Sequence, residues 1–320
     1  MTNQPLNQPF ITQFTKDMKV ENATFLIKEA IGLHTTTKKP YIRFTLQDQS
    51  GTIDAQLWDT DHSLLNHYPV GSIMLIVFSS VDMYQEKLSL TLDKIEPLAQ
   101  NDERNNLDYY LPTAPFSPEE MESEIIGFRE YIKSLNPLVS DLVEQTFIIQ
   151  QEMTPNHFYT HPASKENHYS VLGGLAWHTL SMLYSANALT QIYAFKQEIV
   201  FGSIMLQNLG KTMSYDNLIN MSPTIEGDLF GETAIVDEWL TKAQQRLNIP
   251  TDHEDYLNLR HCILSLNKVV QPQTKEAVFV QSIQQLDKSM NVLEKELQNV
   301  PIGSKTQPVF MFKNRKFIHL

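Results

Sequence analysis

The chain has 320 residues, 42% hydrophobic and 19% charged, which is enough for two domains with ordinary apolar cores. Its formal net charge of −12 excludes a broad polycationic surface, so any contact with nucleic acid must be local. Cys262 is the only cysteine, which excludes an intrachain disulfide and a cysteine metal cluster. No long apolar run or signal-like start occurs, so the expectation is a cytoplasmic protein with no membrane partner.

After an N-terminal extension over residues 1–16, short alternating segments predict strands over 20–30, 41–48, 52–58, 72–81 and 87–95. Gln49, Ser50 and Gly51 predict a tight hairpin between the second and third. Five such strands within 17–97 suit an OB-fold β-barrel.

The alternation assigns Ile42, Phe44, Leu46, Ile53, Ala55 and Leu57 to the barrel core. Tyr41, Arg43, Thr45, Gln47, Asp54, Gln56 and Trp58 are expected outside. Tyr41 and Trp58 with Arg43, preceded by Lys38 and Lys39, form a candidate base-stacking platform with phosphate contacts for single-stranded RNA or DNA. Packing of the two rings against another part of the chain is an equal alternative. The carboxylates of Asp54, Asp59, Asp61 and Asp82 oppose binding, which is therefore expected to be weak and salt-sensitive.

Residues 98–118 shift to a polar and then proline-rich composition and are expected to be a linker. Ser117 as N-cap, Pro118 in the first turn and Glu120 closing a capping box predict a helix start. An all-α pattern follows over 119–298, with a basic and apolar tail at 299–320. That tail carries Lys313, Asn314, Arg315 and Lys316 and is expected to be solvated. The predicted fold class is thus α+β multidomain, an N-terminal barrel followed by a helical domain.

Within the helical part, residues 168–211 read as two apolar helices. The first puts Leu175, His178, Met182 and Leu183 on one face; the second carries Val200, Ile204, Met205 and Leu209. Gln207 and Asn208 interrupt the second apolar run. Gly210 is expected as a left-handed cap and Lys211 as an exposed helix-end lysine favourable to the dipole. A histidine on an apolar face is most often a hydrogen-bonded core residue, and His168, at the predicted helix start, is expected to face solvent.

His178 in GLAWHTLSML, followed by IMLQNLGK, resembles the YhaM family of 3'-to-5' exoribonucleases, which join an OB-fold to an HD-type metal-dependent phosphohydrolase domain. Residues 41–59 (YIRFTLQDQSGTIDAQLWD) are similar to the family's OB module, and residues 156–170 to its entry into the HD core. The resemblance implies metal ligands where this chain has Gln207 and Asn208 in place of His-Asp. It likewise implies ligands at Glu232 in EGDLFGE, at Leu266 with Asn267 after Ile263, Leu264 and Ser265, and at Gln281 and Gln284 after Glu276-Ala277. His178 is retained, His261 lies just upstream of the altered pair, and His168-Tyr169 stands where two histidines are usual. Lys211 matches the family's lysine and would neutralise a phosphate.

An HD site needs imidazoles and at least one carboxylate around a divalent cation that acidifies a bound water. The neutral amides Gln207, Asn208 and Gln284 hold such a cation weakly. The resemblance therefore implies a degenerate HD domain kept for RNA binding, regulation or assembly, as a homo-oligomer or with an active paralogue, and no cofactor. One alternative is an active exoribonuclease using manganese or magnesium on His178, Glu232 and His261 with Asp216 or Asp228. Another is a nucleotide binder using the emptied pocket.

Overall fold

The computed structural model describes residues 8–84, 87–154, 158–165, 167–215, 221–266, 270–298 and 300–320. Asp216 and Asn267, singled out above, lie outside the described residues. The chain divides into two compact units, Met1–Thr113 and Ala114–Leu320. No helix among the described residues is long and apolar enough to cross a membrane.

The first unit is a closed five-stranded barrel of β1 (Lys19–His34), β2 (Pro40–Asp48), β3 (Gly51–Leu57), β4 (Ile73–Tyr84) and β5 (Lys87–Pro97). Its order is β1-β2-β3-β5-β4, with β3 and β5 parallel and the other pairs antiparallel, the OB-fold arrangement. The β2–β3 hairpin turns in two residues because Asp48 Oδ1 accepts from the backbone N–H groups of Ser50 and Gly51, replacing lost ladder bonds. Phe25, Ile27, Ile42, Phe44, Leu46, Met74 and Ile76 fill the interior.

Two glutamines depart from strict alternation. Gln47 and Gln56, expected outside, are buried. Gln47 pairs with Leu26, itself buried outside the barrel core, on the face where the Tyr110 hydroxyl reaches Thr24. Residues of the predicted linker thus cover that face. Gln56 is flanked on both sides, by Arg43 of β2 and Thr91 of β5.

The second unit contains, among the described residues, α1 (Pro118–Leu135), α2 (Pro137–Met153), α3 (Gly174–Leu189), α4 (Gln197–Leu206), α5 (Lys211–Ser214), α6 (Ile225–Arg246), α7 (Glu254–Leu266) and α8 (Lys275–Leu297). Ser117 and Glu120 close the reciprocal capping box that starts α1. The apolar faces of α2, α3, α4, α6 and α7 meet through Val143, Phe147, Leu175, Phe201, Trp239 and Leu259. Burial of each such side chain contributes roughly 1.5–3 kcal/mol, so this core fixes the helices that carry the site.

Gly210 is not the left-handed cap expected of it. Its φ of −59° and ψ of −21° are right-handed, and the chain bends there into α5. The glycine is needed for another reason: a Cβ would land on the Glu232 carbonyl oxygen. The left-handed glycine is Gly231, with φ 74° and ψ 161°, which kinks α6 immediately before Glu232.

The C-terminal segment is folded rather than a loose tail. Backbone bridges join Lys305 to Ile318 and Val309 to Arg315, and Phe312 packs edge-on against Phe317 at 4.9 Å. Thr306 and Val309 are buried, while Lys313, Asn314, Arg315 and Lys316 stay exposed.

Candidate functional site

The site is built where α3, the turn after α4, and α8 face one another. His178, in the middle of α3, is completely buried because its neighbours Leu175, Met182 and Leu183 share the apolar face. Its Nδ1 lies 2.6 Å from Asp287 Oδ2 on α8. The Tyr169 hydroxyl donates to Asp287 Oδ1 at 3.1 Å, and Ser181 Oγ donates to the same oxygen. A carboxylate accepting three hydrogen bonds is an acceptor only, so the His178 proton resides on Nδ1 and the Nε2 lone pair faces inward.

Burial pushes the His178 imidazolium down to a pKa of about 4, against the opposing pull of Asp287. The ring is therefore neutral near pH 7. Among the described residues, its Nε2 has no hydrogen-bond partner.

Tyr169 adopts φ 47°, an uncommon conformation for an aromatic residue. It is held there by α8, since its backbone N–H donates to Asn291 Oδ1 at 2.8 Å. Its ring lies 5.0 Å from that of His178 and its hydroxyl pKa is raised by burial first and by Asp287 second.

His168, expected in solvent, instead packs its ring 5.3 Å from the His178 ring, with Nε2 buried and without a hydrogen-bond partner among the described residues. Burial, then Lys211, drives its pKa down to about 2. The reason is topological: residues 167–173 fold back over the N-terminal end of α3 instead of beginning it, as helix geometry starts only at Gly174.

Lys211 is buried, not an exposed helix-end lysine. Its Nζ donates to the Ala163 carbonyl oxygen at 2.6 Å and stands 3.9 Å from Glu232 Oε2. The loop that precedes α3 closes over it.

The polar residues of the second apolar run are tied together. Gln284 Nε2 donates to Gln207 Oε1 at 3.2 Å, and Gln207 Nε2 contacts Met182 Sδ at 3.1 Å. Asn208 is buried, and its Nδ2 has no hydrogen-bond partner among the described residues. Leu266 is buried at the end of α7.

The remaining candidates do not converge. His261 Nε2 accepts the Gln273 N–H at 2.9 Å, which occupies that nitrogen. Asp228 is exposed on α6 before the Gly231 kink. Among the described residues, no group of three or more His, Cys, Asp and Glu is assembled that would hold a metal ion. The alternative constellation of His178, Glu232, His261 and Asp228 is therefore not brought together.

Two residues escaped the sequence analysis. Asp287 and Lys288 continue the helical stripe of Gln281 and Gln284 by one further turn, and that period was the available signal. Lys288 is half-buried with no hydrogen bond or ion pair among the described residues. Burial, reinforced by Lys211, lowers its pKa to about 8.

On the barrel, Tyr41 and Trp58 pack ring on ring at 4.7 Å and 30°. Trp58 remains 43% exposed. Arg43 and Lys38 are exposed, while Lys39 pairs with Asp59 at 3.2 Å. Asp54, also exposed, accepts from the Thr45 hydroxyl.

No protein-family model matches the chain. It is 32% identical over 299 residues to the 3'-5' exoribonuclease YhaM of Bacillus subtilis strain 168, covering 91% of this chain and 92% of the relative. The enzyme of the same name from Bacillus pumilus strain SAFR-032 is 30% identical over 311 residues, covering 92% and 96%. Among solved structures, the second OB-fold domain of replication protein A from Methanococcus maripaludis aligns with 30% of this chain and 98% of its own. That alignment has 14% identity and a TM-score of 0.21.

Proposed function

This chain belongs to the YhaM family of 3'-5' exoribonucleases, and we propose that it is a non-hydrolytic member that binds single-stranded RNA and keeps its HD domain as a scaffold. The observation that carries this reading is the closed amide network of Gln207 and Gln284 on Met182. Those side chains stand at positions where the family resemblance implies metal ligands, and they satisfy one another.

The donor set supports the same reading. A divalent hydrolytic metal needs anionic oxygen and several imidazoles, and Gln207, Asn208 and Gln284 offer only neutral amide groups. His178 Nε2 alone has the orientation of a ligand, with Asp287 behind it fixing the tautomer. These residues do not fit the metal.

RNA binding falls to the barrel in this proposal. Trp58 offers an exposed ring for a base, and Arg43 with Lys38 offers phosphate contacts. Assembly as a homo-oligomer, or with an active paralogue, and a cytoplasmic location complete the proposal. Binding of fluorescent single-stranded RNA in chelator tests it: affinity that falls with salt and with Trp58→Ala is expected, and RNA shortening on adding manganese would overturn it.

The orientation of His178 Nε2 is the observation favouring the second reading, an active nuclease with a rebuilt site. It predicts manganese-dependent cleavage abolished by His178→Ala.

A further inference from the structure

Two surface segments of the helical unit expose large apolar side chains together. Among the described residues before Leu320, the four most exposed of these are Phe310, Ile302, Ile225 and Leu229, from 71% to 86% exposed. They fall in two places only. Ile225 and Leu229, with exposed Phe230, lie on the first turns of α6, and Ile302 and Phe310 lie on the folded C-terminal segment. Single exposed apolar residues are ordinary, whereas clusters of them mark contact surfaces.

Neither segment is loose. Thr224 caps α6 by accepting from the Gly227 N–H at 2.9 Å, while its own hydroxyl donates to the Met213 carbonyl oxygen at 2.8 Å. Ile225 and Leu229 stand one turn apart on that helix and share a face. In the C-terminal segment the Thr306 N–H donates to the Phe317 carbonyl oxygen and the Val309 N–H to that of Arg315, both at 2.9 Å. The Lys313 N–H closes the tip by donating to the Phe310 carbonyl oxygen at 3.0 Å, so that turn carries Phe310 and Lys313 together.

The two surfaces differ in charge. Residues 301–320 contain Lys305, Lys313, Arg315 and Lys316, all exposed, and no Asp or Glu. The start of α6 carries exposed Glu226 and Asp228, and no basic residue precedes Lys242 on that helix. Among the described residues, none of these charges at the two surfaces makes an ion pair. An acidic, apolar surface repels nucleic acid and fits a partner that is basic and apolar. The C-terminal segment of the same chain has that chemistry.

We propose that the start of α6 on one copy of the chain docks the C-terminal segment of a second copy, with Glu226 and Asp228 facing Lys313, Arg315 and Lys316 around an apolar centre of Leu229, Phe230 and Phe310. Both halves are exposed on a single chain, as a heterologous, head-to-tail contact between copies requires. The inference rests on the proposed assembly as a homo-oligomer and assigns the surfaces that make it.

Sedimentation velocity on the full chain tests the contact. Leu229→Gln/Phe230→Gln removes one half and Phe310→Gln/Arg315→Gln the other, and all four side chains are exposed. The parent is expected to assemble, and each variant alone to associate roughly tenfold more weakly or worse. An equimolar mixture of the two variants should form a dimer, because each supplies the half that the other lacks. Misfolded chains would not recover on mixing, so this readout separates a lost contact from a lost structure. A parent that stays monomeric would overturn the homo-oligomer reading and the contact with it. Variants that assemble like the parent, or that fail to pair on mixing, would overturn these surfaces alone. If the Phe310→Gln/Arg315→Gln chain assembled normally but lost single-stranded RNA, the segment would belong to nucleic acid and the proposal would likewise fall.

Discussion

The barrel and the helical domain treat their polar residues in opposite ways. On the barrel, charges sit at the surface and answer one another, as Lys39 does with Asp59 and Asp54 with Thr45. In the helical domain the Nε2 atoms of His168 and His178 and the Nδ2 of Asn208 are drawn inward and left without hydrogen-bond partners among the described residues. Exposed pairs cost little to keep and contribute little, on the order of 0–1 kcal/mol. Buried unpaired groups are costly, so their persistence in an otherwise dense core sets this part of the helical domain apart from an ordinary apolar interior.

The sharpest break in that contrast is at Asp287. Asp287→Ala strands His178, Tyr169 and Ser181 in the interior and should cost about 3 kcal/mol in urea denaturation. An equivalent removal on the barrel, Asp59→Ala, should fall within about 0.5 kcal/mol of the parent. Equal effects at the two sites would erase the distinction.

Gly210→Ala comes next, with an expected loss of about 2 kcal/mol, because the added methyl collides with backbone at Glu232 that cannot rotate away. A thermal melt without loss of stability would show that α6 yields at its Gly231 kink.

Trp58→Ala should weaken single-stranded RNA roughly tenfold with little change in melting temperature. An unchanged affinity would move RNA recognition off this face.

The smallest effect is opposite in sign. Lys288→Met should stabilise the unliganded protein by about 1 kcal/mol, since it replaces a poorly solvated ammonium by an apolar group of similar length. Its pH dependence follows from linkage. The folded-state pKa of Lys288 lies near 8, below the ordinary 10.5, so between those values the unfolded chain binds the extra proton and parent stability rises with pH. The difference between parent and Lys288→Met should accordingly shrink as pH rises from 7 to 10.

The same contrast explains what the sequence disclosed. Alternation in 41–48 and 52–58 was enough to place the barrel core, because a strand face is read from neighbours two residues apart. Gln47 and Gln56 broke the pattern because their burial comes from other segments. His178 was legible as a buried histidine on an apolar helix face. Its partner Asp287 was not, since the pairing joins residues distant in sequence and the matched stripe ended one turn early at Gln284. Gly210 and Lys211 suggested a helix end. Their true roles depend on Glu232 and Ala163, which only the folded chain brings beside them.

The central claim is that the helical pocket does not hydrolyse RNA. The most direct test incubates the full chain with manganese and end-labelled single-stranded RNA, beside Gln207→His/Asn208→Asp, which restores the His-Asp pair of the family resemblance. The account predicts intact RNA with the parent chain. Manganese-dependent shortening from the 3' end by the parent, abolished in His178→Ala, would contradict it.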